Sequence, residues 1–444
     1  MSSTLTSITV PLGQDASEDG LAALLTRSDS PEVGLSWIRR GSGLLGFGEV
    51  ARFEATGPDR FMLAEQWWRS LTLGSAVTDP LALPGTGPVA FGSFAFSKTS
   101  AFASRLVVPE LIIGLRDGLL WGTLLSLGEQ PTEQELHDAV QLFAPALLSG
   151  ARAAAPEATA AVVADVKPGS LSEEAWMRAV ALGVERIRSG EVEKIVLARD
   201  VVAELPAPVS APEVLRRLAC RYRECWTYRV DDFVGATPEM LIQVMGRTAQ
   251  ARVLAGTLDR RDAAEKRDGE DELAFAERVL AGSAKQRHEH QIAIDSLVTA
   301  LEPFSDATDA HEEPFILELP NVWHLASDVK AELLDAEGHL PSSLALVNAL
   351  HPTAAVCGTP TLPAGVIIRE LEALDRGPYA GPVGWLDAAG NGEWGIALRG
   401  GLLEESRARL FAGCGVVEGS VPEVELAETW AKFRPMLEAL NITA

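Results

Sequence analysis

Cysteine, tyrosine and positive charge are scarce in this chain. Its 444 residues include four cysteines and three tyrosines, and 38 lysines and arginines stand against 62 aspartates and glutamates, for a net charge of −24. Cys220 and Cys225 lie five residues apart with no histidine beside them, and Cys357 and Cys414 are isolated. That pattern makes neither a zinc site nor a disulfide framework, so four reduced thiols in a cytoplasmic protein are expected. The negative balance excludes nucleic acid and anionic membrane as partners, because both repel an acidic surface. Long apolar runs are missing too. The most hydrophobic stretch, RLVVPELIIGLRDGLLWGTLLSL, carries Glu110, Arg116 and Asp117. It reads as two strands about a turn at 116–118, not as a membrane span. The opening MSSTLTSITVPLGQDASEDG shows no basic segment followed by an apolar core, so no signal peptide is expected.

What is present is ordinary globular material, 47% hydrophobic and 23% charged. Residues 1–160 mix strand-like, glycine-punctuated segments (GLLGFGEVARFEATG, VAFGSFAFS) with helical ones (RFMLAEQWWRSLTLG, TEQELHDAVQLFAPALLSGA). Residues 151–168 read as a connector or edge segment. A second region, 165–440, opens with a helix that Ser172 can cap and Gly190 can stop. Strands are predicted at 193–203, 226–230, 241–245, 249–255, 382–387, 393–399 and 408–417. A charged helical stretch is predicted at 262–301, with further helices at 341–350 and 422–440. Strands clustered about antiparallel-style turns between helices predict an α+β fold with a large, mostly antiparallel sheet.

Two motifs mislead. GSGLLG at 41–46 fits a dinucleotide-binding pattern, but FGEVARFEA after it alternates like a strand, so a glycine-rich hairpin is expected. Cys414 in AGCGVV lies in a strand-like run with no nearby histidine, which favours a packed thiol over a nucleophile.

More informative is EGSVPEVELAETWAKF. Ser420 and Glu423 have capping-box spacing, Pro422 suits a first helical turn, and Glu425, Glu428 and Lys432 fall on one helical face. Lys285 and Glu289 repeat the four-residue spacing in SAKQRHEHQIAIDSL, where His288 and His290 point to opposite sides. Each case alone reads as a solvated charged face. Together, two helices that each offer a glutamate can hold Mg²⁺, which favours hard oxygens and often takes only one or two protein carboxylates.

EKIVLARD, FVGATPEML, LAGT, SAKQRHEH, WHLASDV, LHPTAAVCGTP, RGPYAGPVGW, ALRGG, AGCGVVEGS and ELAETWAKF occur in this order. In that order they resemble the chorismate-utilising enzyme family, which includes isochorismate, salicylate, anthranilate and aminodeoxychorismate synthases. The resemblance spans about residues 165–440. It implies the family's fold, large mostly antiparallel sheets packed as a sandwich with helices outside, with residues 1–160 completing the sandwich.

The resemblance also implies a site. Mg²⁺ would bridge the ring carboxylate of chorismate to Glu289 and Glu428, with Glu425 holding a metal-bound water. Tyr379, Arg399 and the backbone at Gly413 would meet the other carboxylate, and Lys432 would add charge at the metal end. His324 and Thr353 would flank the ring, and Gly256 and Thr257 would close on its carboxylate. Lys194, at the mouth of the strand predicted at 193–203, matches the general base of the branch that adds water, which burial and nearby cations would help to hold neutral. Glu239 matches the general acid.

Within the family the water-adding, isochorismate-synthase branch is favoured: ammonia-using members lack a lysine at the position of Lys194, and Ala255 stands where aminodeoxychorismate synthases often carry a lysine nucleophile. The expected activity is Mg²⁺-dependent conversion of chorismate to isochorismate, for menaquinone or siderophore synthesis, by a monomer without a glutaminase subunit. A salicylate synthase, or a catalytically silent homologue acting as a binding or regulatory subunit, is the alternative.

Overall fold

The computed structural model describes residues 4–15, 17, 19–26, 33–145, 147, 164–267, 269–309, 313–335 and 338–442, save the side chains of Thr26, Ala255, Lys285 and Glu289. The predicted connector at 151–168 falls outside these except for its last residues, which form an edge strand, Asp165–Pro168.

The strands form two sheets, of thirteen and ten strands among the described residues. The first runs from the edge strand through Lys194–Glu204, Arg407–Val416, Gly400–Glu404, Phe233–Thr237 and Trp226–Val230. It continues into Leu35–Arg39, Ser42–Phe47, Leu111–Arg116, Leu119–Leu127 and Leu5–Gln14, and ends at Ala76–Thr78. The second contains Val322–Leu333, Thr248–Asp259, Met240–Met245, Gly392–Ile396 and Pro382–Asp387 at its centre, and Val89–Ser93, Ser104–Val108 and Ala51–Ala55 at one end. Every pairing is antiparallel except that of Leu5–Gln14 with Ala76–Thr78. The α+β expectation is borne out. One buried cluster holds Trp37 and Tyr228 from the first sheet with Phe91, Trp385 and Trp394 from the second, so the two sheets share a core.

Two connections matter most, because they carry the chain from one sheet to the other. Phe233–Thr237 lies in the first sheet and Met240–Met245 in the second, with Pro238 and Glu239 at the corner. Gly392–Ile396 lies in the second and Gly400–Glu404 in the first, with Ala397, Leu398 and Arg399 at the corner. The corners are bonded to each other. Thr237 Oγ1 donates to the Ile396 carbonyl at 2.5 Å, the Ile396 N–H to the Glu239 carbonyl at 3.1 Å, and the Ala236 N–H to the Arg399 carbonyl at 3.2 Å. A residue at such a corner sits where the sheets meet, and its side chain can enter the gap between them.

Several local expectations hold. Ser172 accepts the Ala175 N–H at 3.2 Å and Gly190 follows the helix Glu173–Arg188 at φ +79°. GSGLLG forms one arm and the turn of the hairpin Leu35–Arg39/Ser42–Phe47. Others are corrected. The apolar stretch at 105–127 contributes three strands: Ser104–Val108 belongs to the second sheet, and Pro109, which has no N–H for a ladder, ends it before the hairpin Leu111–Arg116/Leu119–Leu127 begins. The turn of that hairpin has Asp117 and Gly118 at φ +50° and +80°, as expected at 116–118. The charged stretch at 262–301 is helical in pieces: a 3₁₀ segment Arg260–Glu265, a helical run Glu272–Ala281, and, after Gly282, the helix Ala284–Leu301, which Ser283 caps by accepting the Gln286 N–H. Ser420 is not a helix cap. Val421 precedes the helix Pro422–Ala439, and Ser420 Oγ instead accepts the Val417 N–H at 3.1 Å.

Candidate active site

Each sheet contributes one wall of a cavity of about 150 Å³, and Pro422–Ala439 covers it. At 10–15 Å³ per water, that is room for roughly ten waters. Eleven of the thirteen residues singled out above line it: Lys194, Glu239, Gly256, Thr257, His324, Tyr379, Arg399, Gly413, Glu425, Glu428 and Lys432.

The first sheet supplies the amine. Lys194 begins the strand Lys194–Glu204 and is 1% exposed. Its neighbouring strand, Arg407–Val416, places Gly413 opposite Ala198 and Cys414 opposite Leu197. Gly413 has to be small, since a Cβ there would stand 3.0 Å from the Leu197 carbonyl oxygen and 3.2 Å from the Tyr379 hydroxyl. Tyr379 is held by stacking on Phe411, with ring centroids 5.5 Å apart.

The sheet corners supply an acid and a cation. Glu239 is 6% exposed, and its burial pushes the carboxyl pKa up to about 7 although Lys194, Arg399 and Lys432 pull the other way. Arg399 adopts φ +49°, a left-handed conformation uncommon for a side chain of this size, and its guanidinium donates to His324 Nε2 at 3.0 Å. That contact fixes the histidine. With Nε2 accepting, Nδ1 carries the proton and donates to the Gly256 carbonyl at 3.1 Å, with the Thr257 hydroxyl 3.3 Å away. Burial, then Arg399 and Lys432, hold the His324 pKa well below its ordinary value, so the ring is neutral.

Gly256 sits at the irregularity where Thr248–Asp259 shifts register against Val322–Leu333. Its φ is +85°, and a Cβ would stand 2.6 Å from Gln286 Oε1. A bulge at this point turns the backbone into the cavity.

The covering helix supplies carboxylates. Glu425, Glu428 and Lys432 share the face predicted from their spacing. Lys432 Nζ donates to Glu428 Oε1 at 2.5 Å and to the Gly413 carbonyl at 2.9 Å, which ties helix to strand. Burial and the charges of Glu425 and Glu428 raise the Cys414 thiol pKa well above its usual value, and this thiol bonds to Glu425. Cys414 is therefore a packed thiol, as expected, and all four cysteines are unpaired.

Two predicted residues stand apart. The side chain of Glu289 lies outside the described residues, though its helix Ala284–Leu301 borders the cavity through Gln286. Thr353 does not line the cavity. It faces a void of about 10 Å³ behind Glu239, shared with Met240, Ala293 and Leu297, and its buried Oγ1 meets no partner among the described residues. The loop passes the cavity through Ala355 and Val356 instead, because its backbone turns between the two. His288 is exposed and His290 is buried against Ser327, in keeping with opposite faces.

Sequence reasoning missed two polar side chains of the cavity. Gln286 presents a buried Oε1 with no partner among the described residues. Arg376 pairs with Glu372 through Nε at 2.9 Å and donates to the carbonyls of Val196 (2.7 Å) and Val356 (2.9 Å). Both occur within motifs quoted above; Arg376 lies beyond the end of the helix Thr361–Glu372, after Ala373 at φ +48°, so helical spacing gave no signal for its pairing with Glu372.

The residues match the description "Chorismate binding enzyme" from 16 to 441. The chain belongs to the chorismate-binding enzyme family. It is 35% identical over 366 residues to isochorismate synthase DhbC of Bacillus subtilis, covering 80% of this chain and 81% of that one. It is 33% identical over 420 residues to the salicylate biosynthesis isochorismate synthase of Pseudomonas aeruginosa, covering 92% and 84%. The fold matches that of MenF, the menaquinone-specific isochorismate synthase of Escherichia coli, with a TM-score of 0.76 at 23% identity over 99% of this chain and 95% of that one.

Among the described residues no three metal-ligating side chains cluster. The donor set nevertheless fits a magnesium ion. Glu425 and Glu428 offer hard oxygens, the neighbouring thiol is held protonated, and both nitrogens of His324 are engaged. Mg²⁺ commonly uses one or two protein carboxylates and fills its remaining positions with water and substrate oxygens, whereas zinc would want nitrogen or sulfur.

Proposed function

We propose that this chain is an isochorismate synthase, an isomerase that moves the hydroxyl of chorismate from C4 to C2. Its relatives of that name support the reading, and so does one structural observation: an amine and a carboxyl group, both buried, face the same small cavity, and the carboxyl has a pKa of about 7.

Lys194 Nζ takes a proton from water as its oxygen bonds to C2. The ring double bonds shift, and the C4 hydroxyl leaves with a proton from the Glu239 carboxyl. A water enters and a water departs, so substrate and product are isomers. A carboxyl group titrating near 7 is protonated often enough at neutral pH to serve as the acid. Arg399 and Tyr379 receive one substrate carboxylate, with Lys432 at the other end, and the fork of a guanidinium suits a carboxylate's two oxygens. Neutral His324 and the Gly256–Thr257 bulge orient the ring without adding charge.

Mg²⁺ held by Glu428 and Glu289, with Glu425 beside them to hold one of its waters, would neutralise substrate charge and withdraw electrons from the ring. Glu428→Ala is expected to weaken Mn²⁺ binding, followed by electron paramagnetic resonance in place of the silent magnesium, at least tenfold, with activity falling in parallel. Unchanged Mn²⁺ affinity would remove Glu428 from the ligand set.

With water as nucleophile no glutaminase subunit is needed. The chain is taken to act as a monomer in the cytoplasm, a reducing compartment that suits four unpaired thiols. The product would serve menaquinone or siderophore synthesis. The purified chain, given chorismate and Mg²⁺ without ammonia, is expected to form isochorismate alone on chromatography. Salicylate with pyruvate would assign it to the salicylate-forming branch, and no turnover would make it a silent homologue.

A further inference from the structure

A second, larger cavity of about 590 Å³ backs onto the first. Arg376 belongs to both walls. The new cavity lies between the start of the helix Arg60–Thr72, the turn at 96–100 and the helix Thr361–Glu372. Nothing in the proposed reaction uses it.

Its chemistry is specific. Phe61, Phe96, Ile368 and Leu374 give it an apolar wall. Arg60 is 6% exposed, and its guanidinium donates only to the carbonyls of Gly57 (3.2 Å) and Ala95 (3.1 Å), with Nε buried and lacking a partner among the described residues. No carboxylate pairs with it among those residues; its only charge-stabilising neighbour is the face of Phe61, with the guanidinium carbon 4.5 Å from the ring centroid, so much of the cost of burying the charge is left uncompensated. Lys98 and Arg369 add positive charge at the rim, while Glu372 is taken up by Arg376 and Asp375 by Ser100 and backbone N–H groups. The helix Thr361–Glu372 starts at Pro360 with no side chain capping it, so its N-terminal partial charge also favours an anion here.

His351 supplies the opposite polarity. It is 8% exposed, donates Nε2–H to the Phe96 carbonyl at 3.0 Å and leaves Nδ1 as a buried acceptor without a partner among the described residues. Burial keeps its ring neutral.

We infer that this cavity is a second ligand site, for a small ring compound carrying a carboxylate and a hydroxyl. The carboxylate meets the Arg60 guanidinium, the hydroxyl donates to His351 Nδ1, and the ring lies against the apolar wall of Phe96, Ile368 and Leu374. The locally positive lining is what lets a chain of net charge −24 hold an anion away from its proposed metal end.

The probe is 2-hydroxybenzoate, followed by titration calorimetry. Lys432→Met, which disables the first cavity, is expected to leave its affinity within twofold of wild type. Arg60→Met is expected to weaken it at least tenfold. Because Arg60 also bonds two carbonyls and its loss could unfold the region, Val366→Trp provides an independent block: Val366 is half exposed on the helix surface at the cavity rim, and an indole there fills the opening without touching the core. Loss of binding in Val366→Trp with retention in Lys432→Met supports the site. Retention in Val366→Trp, or loss in Lys432→Met, places the probe in the first cavity or nowhere and overturns it. Neither result depends on which reaction the enzyme catalyses.

Discussion

Lys194→Ala is expected to lower kcat by 10²- to 10⁴-fold, the usual range for loss of a positioned acid–base group, with the dissociation constant for chorismate changed less than about threefold. Lys194 opens its strand and lines the same cavity as Glu239, and at 1% exposure a solvated role for its ammonium is closed off by burial. Two roles are open to a lysine there, and Lys194→Arg separates them. Arginine keeps the charge but stays protonated throughout the working range, so it can replace a charge partner and not a base. A dead Lys194→Arg variant that still binds chorismate supports the base; recovery of more than a tenth of wild-type kcat would make Lys194 an electrostatic anchor. A side effect is also expected. Lys194 lowers the pKa of Glu239, so removing it drives that carboxyl still higher, visible in the pH dependence of Glu239 by ¹³C NMR.

Glu239→Gln is expected to cost 10²- to 10³-fold in kcat/KM near pH 6, where the wild-type carboxyl is mostly protonated, and less at pH 8.5, where the wild type has itself lost the proton. The alkaline limb of the wild-type profile near pH 7 should vanish in the variant. Stability should move the other way. The folded pKa of about 7 exceeds that of the unfolded chain, near 4.3, so the wild type is unpenalised below about pH 4. It loses stability as pH rises between the two values and carries a constant deficit above 7. At 1.36 kcal/mol per unit that deficit is roughly 4 kcal/mol, and Glu239→Gln should regain much of it at pH 8.5 and little at pH 4.5. Equal unfolding free energies for variant and wild type at pH 8.5 would mean that Glu239 is not held protonated by burial.

Much of this site was legible because its parts are local. The Glu425–Glu428–Lys432 face follows from helical spacing, and the structure turns it into the cavity. The strand that begins at Lys194 announces itself by its apolar run. Thr353 stands apart for a physical reason: a motif fixes which loop comes near a ring, but one turn of backbone decides that Ala355 and Val356 line the cavity while Thr353 faces the void behind it. Arg376 was passed over although its motif was quoted, because its importance lies in bonds to the carbonyls of Val196 and Val356, which are distant in sequence.

By itself the sequence determined the element types, the family and most of the chemistry-bearing residues, since helix periodicity, strand alternation and glycine positions are set by neighbours along the chain. Only the tertiary structure decided that Glu239 and Arg399 lie on two corners bonded to each other where the chain changes sheets. It alone set the tautomer of His324 and opened a second cavity beside Arg60. Those outcomes depend on pairings between segments distant in sequence, 68 residues apart for His324 and Gly256, 75 for His324 and Arg399 and 159 for Thr237 and Ile396, and burial, which moves a carboxyl group to neutrality, belongs to no single segment.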